Sequence, residues 1–158
     1  MRRAVAATAT PVEQPTAPPP PTPVPPSPPV DGCDRIIALV NQVRGDNGLP
    51  PLAPNAQLGA AAQQYAGFIA ANNVLTHTAD GRRLDARAEA AGYTTWLALG
   101  ENLAGGYDAF EDAVSAWMTS PGHRDNILNP RFTETGVGCA WNADSRYGWF
   151  FVQEFGTR

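Results

Sequence analysis

Lysine is absent from the 158-residue chain, and all eleven basic side chains are arginine. Schiff-base chemistry and a lysine general base are thereby excluded. Positive charge is also scarce. The formal net charge is −4, and from Asp31 onward nine arginines stand against fourteen acids with no basic cluster, which argues against a nucleic-acid partner. Apolar runs are short, and none approaches the roughly 20 residues of a membrane span, so no transmembrane segment is expected. Histidine occurs twice, as His77 and His123, and cysteine twice, as Cys33 and Cys139. The cysteine spacing is no metal motif. Paired, the two would close a loop of over a hundred residues, which the chain-entropy model values at about 4–5 kcal/mol. A Cys33–Cys139 disulfide is expected, the alternative being two buried thiols.

Proline, by contrast, is abundant and concentrated. Residues 11–30 read PVEQPTAPPPPTPVPPSPPV, where missing donors and fixed φ favour a solvated polyproline state reaching roughly 60 Å. Residues 1–30 are therefore read as a disordered tether, a spacer rather than a PxxP ligand. MRRAVAATAT has a basic start, but its apolar stretch is too short for a signal peptide; at most it is the remnant of an export segment. Residues 31–158 form the folded domain.

Within it, Ile36, Leu39, Val40 and Val43 fall at helical spacing, predicting a helix over 34–44 that ends before Asn47 and Gly48. GLPPLAPN reads as a rigid connector. Asn55 caps a second helix to about Asn72, with Leu58, Ala62, Tyr65 and Ile69 as its stripe. NNVLTHTADG, which holds His77, reads as a loop. Leu84, Ala88 and Ala91 mark a third helix ended by Gly92, and Phe110, Val114 and Trp117 a fourth. LALGENLAGG, carrying Glu101, suggests a short strand or extended turn. TGVGCAW alternates Val137, Cys139 and Trp141 on one face. RYGWFFVQEFG sets Tyr147, Trp149, Phe151 and Phe155 on one face and Phe150 and Val152 on the other, so cover on both sides is needed. NADS turns these two strands into a hairpin. Helices first and strands last predict an α+β domain, an α-β-α sandwich with a small antiparallel sheet between helical layers.

WMTSPGHRDNILNP, from Trp117 to Pro130, concentrates the chemistry. Ser120 is a good N-cap and Pro121 suits the first helical position, which puts His123 in the first turn. There the positive end of the helix dipole favours a neutral imidazole, able to bind a metal or accept a proton. Spacing alone does not bring His77 and His123 together.

VNQVRGDNGLPPL, THTADGRRLDARAEAAGY, GENLAGG, WMTSPGHRDNILNPRFTETGVGCAW and WFFVQEFG, in that order, resemble the bacterial branch of the CAP superfamily (cysteine-rich secretory proteins, antigen 5, pathogenesis-related 1). The resemblance covers Asp34 to Phe155. It implies an α-β-α sandwich, an extracellular or cell-surface location, and a cleft in which His77, Glu101 and His123 match family positions. It also implies weak binding of zinc or another divalent cation by His77 and His123, with Glu101 acting directly or through water. At the fourth cleft position, where many eukaryotic members carry a glutamate, this chain has Ser120, so the ligand set is thin.

These residues point first to a non-enzymatic binding module, whose cleft takes a cation and whose apolar surface takes a lipid, a small molecule or a protein partner. Lipid enters by resemblance alone. The rival is a metal-assisted hydrolase in which Glu101 activates water held by His77 and His123. A Ser120–His123–Glu101 nucleophile is disfavoured by the missing GxSxG elbow. Arg87 and Arg124 read as solvated surface cations paired with acids rather than as contacts for an anionic ligand, and Trp96, Trp117, Trp141 and Trp149 as core or cleft wall rather than exposed ligand platforms. Gly136 and Gly138 read as sites of close backbone packing.

Overall fold

The structure, a computed structural model, describes residues 32–158; the tether reading of residues 1–30 lies outside the described residues. Helix α1 spans Arg35–Asp46, α2 Ala56–Ala71, α3 Leu84–Ala90, α4 Phe110–Thr119 and α5 Pro121–Ile127. Strands β1 (Ala53–Pro54), β2 (Ala98–Gly105), β3 (Glu134–Asn142) and β4 (Gly148–Thr157) form one sheet in the order β1-β3-β4-β2. The β3–β4 hairpin and the β2–β4 pair are antiparallel. The sheet is mixed rather than purely antiparallel, because two residues of the expected connector, Ala53 and Pro54, run parallel to Glu134 and Thr135 of β3.

Each face of β4 is covered, as its two apolar faces require. Trp149, Phe151 and Phe155 pack with Ile36, Val40, Trp117 and Ile127 from α1, α4 and α5. Phe150 and Val152 pack with Tyr65 and Ile69 of α2 on the opposite side, while Leu58, Ala88 and Tyr93 join α2 to α3. The result is the expected α-β-α sandwich. Tyr147 departs from the alternation and packs with Phe150. Gly148, at φ +67°, turns the chain between them, and the period of two begins only after it.

Local chemistry sets the element ends. The Asn55 side chain accepts from the Gln57 and Leu58 amides at the start of α2. Gly92 ends α3 at φ +90°, the left-handed stop that glycine allows without strain. Gly136 and Gly138 let α2 lie directly on β3: a Cβ at Gly136 would stand 2.0 Å from the Gly59 amide nitrogen, and one at Gly138 2.3 Å from that of Gln63. Cys33 and Cys139 form a disulfide, 106 residues apart in sequence, tying the entry to α1 onto β3.

Candidate functional site

The candidate site lies along β2, one of the two edge strands of the sheet. Its backbone is held from outside by side chains of the α4–α5 segment. Trp117 Nε1–H donates to the Leu103 carbonyl at 2.8 Å, and Asn126 Nδ2 donates to the Glu101 carbonyl at 3.2 Å and to Asn102 Oδ1 at 2.9 Å. Asn102 in turn donates to the His123 carbonyl at 3.0 Å. The GEN and NIL asparagines thus fix where His123 sits over β2. The motif text carries both of them, yet a polar side chain aimed at a backbone carbonyl leaves no periodicity to read.

His77 approaches from the other side, on the loop between α2 and α3. Two buried groups from below hold that loop. The Tyr65 hydroxyl donates to the Thr76 carbonyl and accepts from the Ala79 amide. Arg87, only 3% exposed, donates to the carbonyls of His77 at 3.1 Å and Arg82 at 3.0 Å, and to Asp80 Oδ1 at 3.3 Å. Its other terminal nitrogen meets Glu101 Oε2 at 2.6 Å, and the guanidinium carbon Cζ lies 3.6 Å from the Tyr65 ring centroid. Arg87 is therefore not the solvated surface cation expected from sequence. Three acceptors of one loop, a β2 carboxylate and an aromatic face together provide the partners that let a guanidinium leave water. Arg124 is exposed, as expected.

Glu101 is buried, and both of its oxygens are engaged: Oε2 by Arg87 and Oε1 by His77 Nδ1 at 2.8 Å. An ionised carboxylate at that distance from Nδ1 favours the tautomer protonated there, leaving Nε2 with its lone pair. The His77 side chain is 56% exposed. His123 is half-buried, and its pKa is lowered, first by burial and second by the nearby positive charge that His77 can carry. The helix dipole predicts a neutral imidazole at this position; desolvation is the larger physical cause.

Ser120 stands at the N-cap of α5 but does not cap it with its side chain. It also ends α4 and is extended, at φ −97° and ψ 118°. One residue serving two abutting helix ends satisfies its own amide at the Trp117 carbonyl and offers its carbonyl to Arg124. Beside it opens a pocket of about 220 Å³, whose walls are Leu75 of the His77 loop, Leu103 of β2, Tyr107, Trp117 and His123. Of the other tryptophans, Trp149 is buried and Trp96 and Trp141 are half-buried. Among the described residues no three His, Cys, Asp or Glu side chains are gathered closely enough to hold a metal ion. The potential metal ligands brought to β2 are two imidazoles, one with its tautomer favoured by the carboxylate behind it.

Fold and site together define an α-β-α sandwich with two histidines brought from either side to an edge strand. The model of the CAP family, described as the Cysteine-rich secretory protein family, matches residues 37–155. The chain belongs to that family. It is similar to the uncharacterized protein YkwD of Bacillus subtilis (strain 168), 36% identical over 107 residues that make up 66% of this chain and 40% of YkwD. Among solved structures it is similar to an SCP-domain extracellular protein of Bacillus anthracis str. Ames, with TM-score 0.71 and 29% identity over 81% of this chain and 41% of that one. An outer surface protein of Borrelia burgdorferi superposes with TM-score 0.72 and 25% identity, over 79% of this chain and 91% of that chain. This chain spans about two fifths of YkwD and of the anthracis protein.

Proposed function

We propose that the protein is an exported, surface-directed binding module in which His77 and His123 hold a divalent cation weakly and the adjoining pocket takes the apolar part of a small ligand. The observation that carries this reading is the contact of Glu101 with His77 Nδ1, which leaves the His77 Nε2 lone pair free for a ligand. Glu101 enters as the orienter of a ligand and not as a ligand itself, because both its oxygens are already bonded. The same engagement disfavours Glu101 as a water-activating base and, with it, the metal-assisted hydrolase. Glu101 also bonds His77 rather than His123, which gives a Ser120–His123 nucleophile no orienting acid. Two protein ligands with water completing the shell make an open, low-affinity site. The cation would supply a fixed positive charge at the mouth of the pocket and so select ligands with an oxygen-rich head.

Export is supported by the disulfide, which persists in oxidising compartments, and by the extracellular and outer-surface relatives. Among the described residues no helix is long and apolar enough to cross a membrane. Zinc titration by calorimetry tests the site. Wild type binds; His77→Ala and His123→Ala each lose most of the affinity; and Glu101→Gln, which removes the orienting carboxylate together with its charge pairing to Arg87, costs about 10- to 100-fold. No heat with wild type, or equal binding by both alanine variants, contradicts the proposal.

A further inference from the structure

Behind the site β4 carries a second glutamate. Glu154 is paired across the sheet with Glu101 of β2 and Gly136 of β3, so the two carboxyl groups leave the same face, toward α2 and α3. Glu154 is fully buried, and neither of its carboxyl oxygens has a hydrogen-bond partner. One more buried polar group in this region is unpartnered: Nε of Arg87.

The charges facing Glu154 decide which form it takes. From β2 comes Glu101 and from α3 comes Arg87; these in turn engage His77 and Asp80 of the loop and Tyr65 of α2. Gly136 on β3 brings no charge. The single positive charge of Arg87 is already opposed by Glu101 and Asp80. A third carboxylate, buried and without a donor, is the costlier state; a neutral carboxylic acid loses far less on leaving water.

We propose that Glu154 is a proton-storing positioning residue for His77: as a neutral acid it leaves Arg87 to Glu101, and when ionised it competes for Arg87 and loosens the Glu101–His77 contact. The unpartnered Nε of Arg87 is the donor that an ionised Glu154 would recruit. Burial, reinforced by the negative charge of Glu101 and opposed by Arg87, pushes the Glu154 carboxyl up to about 8, so the change falls at mildly alkaline pH. The device acts on the protein itself and stands whether or not His77 takes a cation.

The test is ¹⁵N NMR of the histidine rings in the full, chelator-treated chain, titrated across the region around pH 8 in wild type and in Glu154→Gln. In wild type the His77 ring signals undergo a transition near that pH as the Nδ1–H contact weakens; in Glu154→Gln, which keeps the shape and removes the proton equilibrium, the transition is lost. A wild type without the transition, or a variant that retains it, overturns the proposal. Should Glu154→Gln fail to fold, infrared difference spectra of wild type carrying ¹³C-glutamate decide. A buried protonated carboxyl band present at neutral pH and lost through about 8 supports the proposal, and its absence at neutral pH overturns it.

Discussion

Replacing Arg87 with alanine removes the buried cation that faces Glu101, leaves Asp80 to Arg82 alone, and releases two carbonyls of the His77 loop. Removing one partner of a buried pair costs about 3–5 kcal/mol, and chemical denaturation of Arg87→Ala reads the loss directly; a cost under about 1 kcal/mol refutes the role of Arg87 as a clasp. His123 carries a pH dependence of its own. Its pKa in the fold lies below the ordinary 6.5, so the unfolded chain binds the proton first. The associated stability is complete above about 6.5, and is lost as pH falls through the lower folded value. His123→Gln, compared with wild type in denaturation midpoints at mildly acid and neutral pH, flattens that slope. At this scale the sequence is least legible. His77, Glu101 and His123 stand out through their motifs, but the burial of Arg87 depends on Tyr65, Asp80 and Glu101 converging from three elements, and no single window contains them. The unpaired carboxyl of Glu154 is hidden for the same reason, since its β2 and β3 neighbours come from distant parts of the chain.

Elements are easier to read, because a helix or a strand advertises its buried face at a fixed period. The stripes of α1 and α2, the Asn55 cap, the Gly92 stop and the β3–β4 hairpin all follow from local pattern. What escapes is β1, too short at two residues to have a period, and Tyr147, displaced by the turn at Gly148. The paired glycines of β3 make the sharpest prediction here. Gly136→Ala sets a Cβ against the α2 backbone, which cannot yield as a side-chain tip would, so a loss of about 3 kcal/mol or more is expected. Gly122→Ala is the control: its Cβ meets nothing within 4 Å, and thermal melting of that variant should stay within about 0.5 kcal/mol of wild type.

For the molecule as a whole, the disulfide joins the entry of the first helix to the sheet and closes a loop spanning 106 positions. Its reduction removes about 4–5 kcal/mol by the chain-entropy relation, a fall in Tm of roughly 10–20 °C; melting with and without reductant checks this, and an unchanged Tm refutes it. The sandwich also explains why the site is where it is. His77, on the loop between α2 and α3, and His123, on α5, come from opposite sides of the sheet, and β2, at its edge, is where both sides reach the same strand. Sequence spacing could not supply that convergence, because it is a property of layer packing.

The proposed function requires the two histidines, one from each side of the sheet, to act as a single site. Stepwise addition of zinc to the ¹⁵N-histidine-labelled full chain, followed by ring NMR, measures this most directly. With a shared cation, the Nε2 signal of His77 and the ring signals of His123 move together and reach their end points at the same zinc concentration, while the His77 Nδ1–H bond to Glu101 stays in place. One ring responding alone, or the two rings saturating at different zinc concentrations, would contradict it.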